Sequence, residues 1–447
     1  LTPGAYIVGD SITGGIDLSQ PRKVTLRLYQ DYDWTISASR SVERYFSVAS
    51  QIGATEIDVP GRRVLLSVSS KANLAAIEVL SCKLGPEGST MTPELQGRTV
   101  DFTRPLEVEV DDWGHSSIWT IYVSTTDASV TTASVDPWTM VAWVYGEAES
   151  GRTNGFEYRL KGDTQWIRVP QSDVVEQGGS FHVCLKHLSP QTDYEVRAYS
   201  NEEYGEVLEF TTGSVLQVPN NTLDSWWLDG KVWNPWPEGG EQYWDTGNKG
   251  ATTLGPSNSI PTDDTSSGTG WAAELQTKFV GIGMIGKLAA GNLFVGRYVR
   301  TDGTNGILSF GREFAERPTK MRGYLKYKTA PISSTTAGFE SMKGQPDTCI
   351  IWCALIDQAE PLEIRTNPSN RQVFEPDADY VVAYGKVQYG ENIDQWIPFE
   401  FELDYKSTSR VPRYVIITAS ASKYGDYFTG GDGAVLYVDD FLFEYDY

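Results

Sequence analysis

Short runs in which apolar and polar residues alternate recur along the chain. RKVTLRLYQ and RRVLLSVSS lie towards the N-terminal end. AAELQTKFVGI, MRGYLKYKTAP, YVVAYGKVQYG, RYVIITASAS and AVLYVDDFLFEYD fill the C-terminal half. A period of two is that of a strand with one face inward and the other in water. TCIIWCALID and WIPFEFELDY are the most apolar strands, and they predict Trp352 and Trp396 in the core. No long stretch shows helical spacing, so the expected fold class is all-β and multidomain.

A chain of 447 residues is too long for one hydrophobic core and suggests about three domains. The pattern divides into residues 1–126, 127–213 and 214–447. The expected architecture is two small immunoglobulin- and fibronectin-like sandwiches followed by a larger jelly-roll sandwich. Within the first part an Ile-Asp echo links Gly14–Leu26 to Thr55–Val68, which suggests two related β units or a single sandwich with an added edge strand.

Composition narrows the function. Lys plus Arg number 37 against 59 Asp plus Glu, a net charge of −22, which repels phosphate backbones and anionic headgroups and argues against a nucleic-acid partner. The longest apolar run, Cys349–Ile356, is far short of the roughly 20 residues of a membrane-spanning helix. Leu1 opens directly into LTPGAYIVGD, so the protein is either cytosolic or exported with its signal segment already removed. Cys349 and Cys353 on one strand face would stand about 13 Å apart, too far to bridge, and all four cysteines are read as buried thiols.

The segment Asn221–Gly250 holds five tryptophans among turn-forming residues: Trp226, Trp227, Trp233, Trp236 and Trp244. An indole face covers the C–H patch of a sugar ring, and polar side chains around it satisfy the hydroxyls. Trp233, Trp236, Tyr243 and Trp244, with Trp271 after SSGTG, are therefore candidate sugar platforms. Asp245, Asn248, Lys249, Asn292 and Arg312 are candidate polar partners, and Phe294 shares the AAGNLFVG turn with Asn292. The competing reading puts at least one of Trp226 and Trp227 in the core and makes Asp245 and Asn248 turn residues.

Catalytic candidates are sparse. Glu238, Glu241, Asp245, Glu313 and Glu316 could form an acid–base pair at the spacing glycosidases need. The three histidines, His115, His182 and His187, all precede the third domain, so histidine-dependent hydrolysis cannot be built there. No H-E-x-x-H pattern and no nucleotide-binding glycine loop occurs.

Several stretches resemble known families. Arg44–Thr125, with DFTRP at Asp101–Pro105 and WTIYV at Trp119–Val123, resembles an immunoglobulin-like module of surface lipoproteins in Gram-negative gut bacteria. HLSPQTDYEVRAYS places Leu188 and Tyr194 in the spacing of a fibronectin type III corner, with MVAWVYG resembling that fold's early strand and its buried tryptophan, Trp143. WNPWPEGGEQYWDTGN, AAGNLFVGRY, RPTKMRGYLKYK and GDYFTGGDGAVLYVDDFLFEY occur in order and resemble the Putative carbohydrate metabolism domain of exported proteins from gut anaerobes.

That last resemblance implies a jelly roll similar to carbohydrate-binding modules. Such modules often hold a structural Ca2+ between the chain ends of the domain, for which Asp224, Asp439 and Asp440 are the candidate ligands. The expectation is a non-catalytic cell-surface glycan-binding protein, an exported outer-surface lipoprotein. Its partner would be an oligo- or polysaccharide, alongside other surface glycan-uptake proteins. The alternatives are a glycoside hydrolase using a rim carboxylate pair and a structural or adhesive surface protein.

Overall fold

The computed structural model describes residues 6–8, 18, 22–27, 30–37, 42–127, 129–282, 285–303 and 305–447. The described chain is almost entirely strand, as the alternation predicts; its one α-helix is a single turn, Asn248–Ala251. Most of the Gly14–Leu26 echo lies outside the described residues. The chain separates into two compact units. One is Leu1–Ser129 with Glu147–Arg152 and Glu176–Ser180; the other is Val130–Gly146, Thr153–Val175 and Phe181–Tyr447.

In the first unit a five-stranded sheet orders Gln51–Asp58, Arg63–Ser69, His115–Thr126, Leu106–Asp112 and Thr90–Thr92. Arg63–Ser69 and His115–Thr126 run parallel. Their alternate residues Val64, Leu66, Val68, Trp119 and Ile121 point into one core with Phe46, Val48, Ile77 and Val79 of a second, three-stranded sheet.

The second unit begins with a smaller sandwich. Asn154–Leu160 and Asp193–Ser200 pair antiparallel in one sheet, and Ala142–Ala148 lies in the other. The corner bond expected at Tyr194 is present: Ser189 N–H donates to its hydroxyl oxygen at 3.0 Å. The buried indole is Trp138, not Trp143 as expected. Along Ala142–Ala148 the period of two sends Ala142, Val144 and Gly146 inward, which leaves Trp143 on the half-exposed face.

Two larger sheets build the C-terminal sandwich. The nine-stranded one runs Leu362–Arg365, Asn305–Phe310, Asn292–Asp302, Tyr414–Ser420, Cys349–Ile356, Val381–Tyr389 and Asp404–Tyr405. Trp244–Asp245 joins it by pairing with Phe294 and Val295, and Arg312–Glu313 by pairing with Tyr414–Ser420. The five-stranded sheet runs Ser259–Thr262, Ala272–Gln276, Val435–Glu444, Lys320–Lys328 and Ile393–Glu402.

Their shared core takes Leu293, Val295, Ile351, Cys353, Leu355, Val415 and Ile417 from the larger sheet, and Leu275, Leu325, Leu436 and Phe441 from the smaller. The intervening positions of the larger sheet enter a second apolar cluster on its other face: Phe294, Tyr298, Phe310, Trp352, Ile356 and Ile416. Cys349–Ile356 is apolar throughout because both its faces are covered. Trp352 is thus buried as predicted, in the second cluster. Trp396 is not a core residue. Its neighbours Ile397, Phe399 and Phe401 face the core at alternate positions, so Trp396 is half-buried on the outer face, where its indole N–H donates to Asp264 Oδ1 at 3.0 Å.

Candidate functional site

A cavity of about 530 Å³ opens on the second face of the nine-stranded sheet, within the usual range for a small-molecule site. Its apolar wall contains Phe294, Tyr298, Phe310 and Trp352, and the strand Tyr414–Ser420 adds Thr418 and Ser420. Trp352 is stacked beneath Phe374, with centroids 4.5 Å apart and planes 13° apart, which locks its ring. Thr418 Oγ1 is buried in this wall without a hydrogen-bond partner.

Polar groups stand on the opposite side. Lys287, on the two-stranded hairpin formed by Lys278–Ile282 and Ile285–Ala289, donates to Asn305 Oδ1 at 2.7 Å and lies over the Phe428 ring at 4.3 Å. Burial lowers its ammonium below the usual lysine range. Asp426, in the short turn Gly425–Tyr427, is pushed upward by burial, against the pull of Arg371. Phe428, which follows, sits at φ +54°, a left-handed conformation uncommon for a bulky side chain and one that concentrates at functional sites. Asp426 is the one Asp or Glu among the described residues of the wall.

Of the site residues singled out from the sequence, only Asn292 and Phe294 are among those lining this cavity. Asn292 Oδ1 accepts the Gly247 N–H at 2.7 Å, and Phe294 is fully buried in the floor. The aromatic residues of the Asn221–Gly250 segment lie outside the cavity lining. Trp244 is completely buried, its indole N–H donating to the Pro219 carbonyl at 2.7 Å, so it has no free face for a sugar. Trp236 and Tyr243 are buried as well, and Trp226, Trp227 and Trp233 are half-buried. Neither member of the Trp226–Trp227 pair is fully in the core; Trp226 packs against its edge, and Trp227 meets Trp236 edge to face at 6.1 Å.

The proposed polar partners are committed too. Asp245 accepts N–H groups of Thr246 and Tyr298 and the side chains of Gln242 and Lys249. Asn248 makes four buried bonds: its amide nitrogen to the carbonyls of Trp233 and Ser259, its oxygen from the N–H groups of Asn258 and Ser259. Arg312 donates to the Gln242 carbonyl. Trp271 is exposed, away from the cavity, beside Asp224, which accepts its N–H. These residues tie an irregular segment to the sheet edge, which takes aromatic bulk and amide bonds as surely as a sugar site does.

The carboxylate candidates do not pair across the cavity. Glu238, Glu241 and Glu313 are exposed elsewhere, and Glu316 is clasped by the hydroxyls of Ser214 and Thr139. The three aspartates read as calcium ligands lie outside the cavity: Asp224 Oδ1 and Asp439 Oδ2 accept the backbone N–H groups of Trp271 and Ser266, and Asp440 Oδ2 accepts the Ser266 hydroxyl at 3.2 Å.

Sequence reasoning missed Lys287, Asn305, Thr418 and Asp426. One signal was present: YVIITASAS changes from Ile416 to Thr418 and Ser420 on a single face, where the second cluster gives way to the cavity.

An all-β chain whose last sandwich holds a mixed apolar and polar cavity is the class defined so far. Residues 224–443 match the family described as Putative carbohydrate metabolism domain, and the chain carries that domain at its C-terminal end. No curated protein matches the chain. Among solved structures it is similar to two described as putative glycoside hydrolases. The one from Bacteroides thetaiotaomicron VPI-5482 has 17% identity, 92% of this chain and 99% of that chain covered, and a TM-score of 0.36. The one from Bacteroides vulgatus ATCC 8482 has 22% identity, coverages of 52% and 95%, and a TM-score of 0.37. The surface glycan-binding protein PbSGBP-B from Prevotella bryantii aligns at 10% identity over 91% of this chain and 99% of that one, with a TM-score of 0.16. Overlap at this level carries no argument about what this chain does. None of the described helices is long and apolar enough to cross a membrane.

Proposed function

We propose that the protein is a non-catalytic glycan-binding protein whose C-terminal cavity receives a short stretch of carbohydrate. The carrying observation is the wall itself: aromatic and aliphatic groups from the sheet face amide, hydroxyl and charged groups from the surrounding loops. This is the mixture that a ring with C–H faces and peripheral hydroxyls requires. Membership of a carbohydrate-related family agrees with it. Among the described residues of the wall Asp426 is the one carboxylate, which supports binding over hydrolysis in this reading, because glycosidases of the common kind use two.

The preceding sandwiches, immunoglobulin-like and fibronectin-like by their sequence resemblance, serve in this reading as the support that presents the cavity. The protein acts outside the cell, as a surface lipoprotein alongside other glycan-uptake proteins. Calorimetric titration of the full chain against a panel of plant and host oligosaccharides tests the core of this. The expected result is saturable binding that Thr418→Phe, which pushes a ring into the cavity, weakens strongly while the circular dichroism spectrum is unchanged. No binding at millimolar concentration to any member of the panel overturns the reading. Release of reducing sugar that Asp426→Asn stops replaces it with a hydrolase.

A further inference from the structure

The cavity is cationic in a strongly acidic protein. Lys287 and Lys423 lie in its wall, and Arg371 stands close enough to bear on the charge of both Asp426 and Lys287. Several other cations of the sandwich are matched, Lys249 with Asp245, Lys326 with Asp264 and Arg410 with Asp357. Among the described residues none of Lys287, Lys423 and Arg371 forms an ion pair. All three are half-buried and rest on aromatic rings: Lys287 on Phe428, Lys423 on Tyr424 at 5.2 Å, Arg371 on Tyr427 at 4.7 Å.

Arg371 lies outside the cavity lining; its Nε and one terminal nitrogen are buried with no hydrogen-bond partner, so it contributes charge to the cavity rather than contact. The two wall ammoniums each offer a carboxylate three N–H donors and a compact point charge.

Resting on the glycan-binding reading, we propose that the cavity selects an acidic sugar, with the carboxylate of a uronic acid unit set against the wall lysines Lys287 and Lys423. The sugar ring then lies towards the aromatic wall, and Asp426 is left to accept from a hydroxyl. The net excess of cations around the cavity disfavours amino sugars, and neutral glycans leave the two wall lysines without a counter-charge.

The test titrates the full chain with uronate-containing oligosaccharides, with the same oligosaccharides after reduction of their carboxyl groups to alcohols, and with sulfated counterparts, each in 50 mM and 500 mM NaCl. The expected result is at least about tenfold tighter binding of the uronate than of its reduced form, the advantage shrinking in high salt. Lys287→Gln and Lys423→Gln each lower uronate affinity by about tenfold and bring it towards that of the reduced form. The salt dependence of the unaltered chain serves as the readout should either variant fail to fold. Equal or tighter binding of the reduced form overturns acid selection and leaves glycan binding standing. Binding of the sulfated form alone replaces the carboxylate with a sulfate ester and overturns the uronate assignment. No binding of any of the three overturns both readings.

Discussion

Trp138, in the smaller sandwich of the second unit, packs tilted against Tyr405 of the C-terminal sandwich, with ring centroids 4.2 Å and planes 38° apart, and its indole N–H donates to the Thr408 carbonyl at 2.9 Å. Around this pair Arg317 donates to the carbonyls of Pro137, Ser409 and Arg410, and Thr408 donates to Asp136. The two sandwiches are therefore joined by a packed, hydrogen-bonded seam. Trp138→Ala is expected to destabilise the second unit by about 3–5 kcal/mol. Trp138→Phe, which keeps much of the ring and loses the N–H, should cost about 1 kcal/mol. Calorimetric unfolding checks both, and equal losses for the two variants would contradict the role given to ring packing.

Asn248 is a structural keystone. Its replacement by Ala removes four buried hydrogen bonds and should cost at least about 3 kcal/mol. Asn248→Asp should be no milder, because it turns a donor that serves two carbonyls into an acceptor facing them. Urea denaturation of both variants gives the comparison, and a near-neutral aspartate would refute this account.

Glu157 carries a pH signature. Burial opposes its charge, but Arg168 at 2.8 Å and Arg197 at 2.9 Å prevail and hold its carboxyl below the usual glutamate range. A depressed folded-state pKa gives stability that is present above the unfolded value, near 4.3, and lost as pH falls through the folded value. Glu157→Gln should therefore cost about 3 kcal/mol at neutral pH, with the gap to the unaltered chain closing below about pH 4. Stability measured against pH for the two proteins tests this, and a gap that widens in acid would reverse the assignment.

The four thiols are unpaired, and burial drives each upward: Cys184 to about 11, Cys82 and Cys349 to about 12, and Cys353 higher still. Only thiolate reacts readily with alkylating reagents. Folded protein at pH 7.5 should take up almost no iodoacetamide in an hour, and urea-unfolded protein four equivalents, counted by mass spectrometry.

The strands were legible because alternation is a local property, and the period of two even explains where Trp143 and Trp396 depart from expectation. The aromatic segment was not. Whether Trp244 faces a sugar or a core depends on its pairing with Val295, fifty-one positions on, which no local pattern announces. Gly296 makes room beside that junction: at φ +147° its Cβ would stand 2.2 Å from the Ser309 carbonyl oxygen. The cavity shows the same limit. Lys287, Thr418 and Asp426 meet only once distant strands are laid side by side, and each alone reads as an ordinary strand or turn residue.

One layer of backbone divides Cys353, in the sandwich interior, from Trp352, in the cavity wall. A change of volume on either side must be absorbed by the same strand. Affinity for a ligand and resistance to heat are thus mechanically linked here, and selection for one will leave its mark on the other.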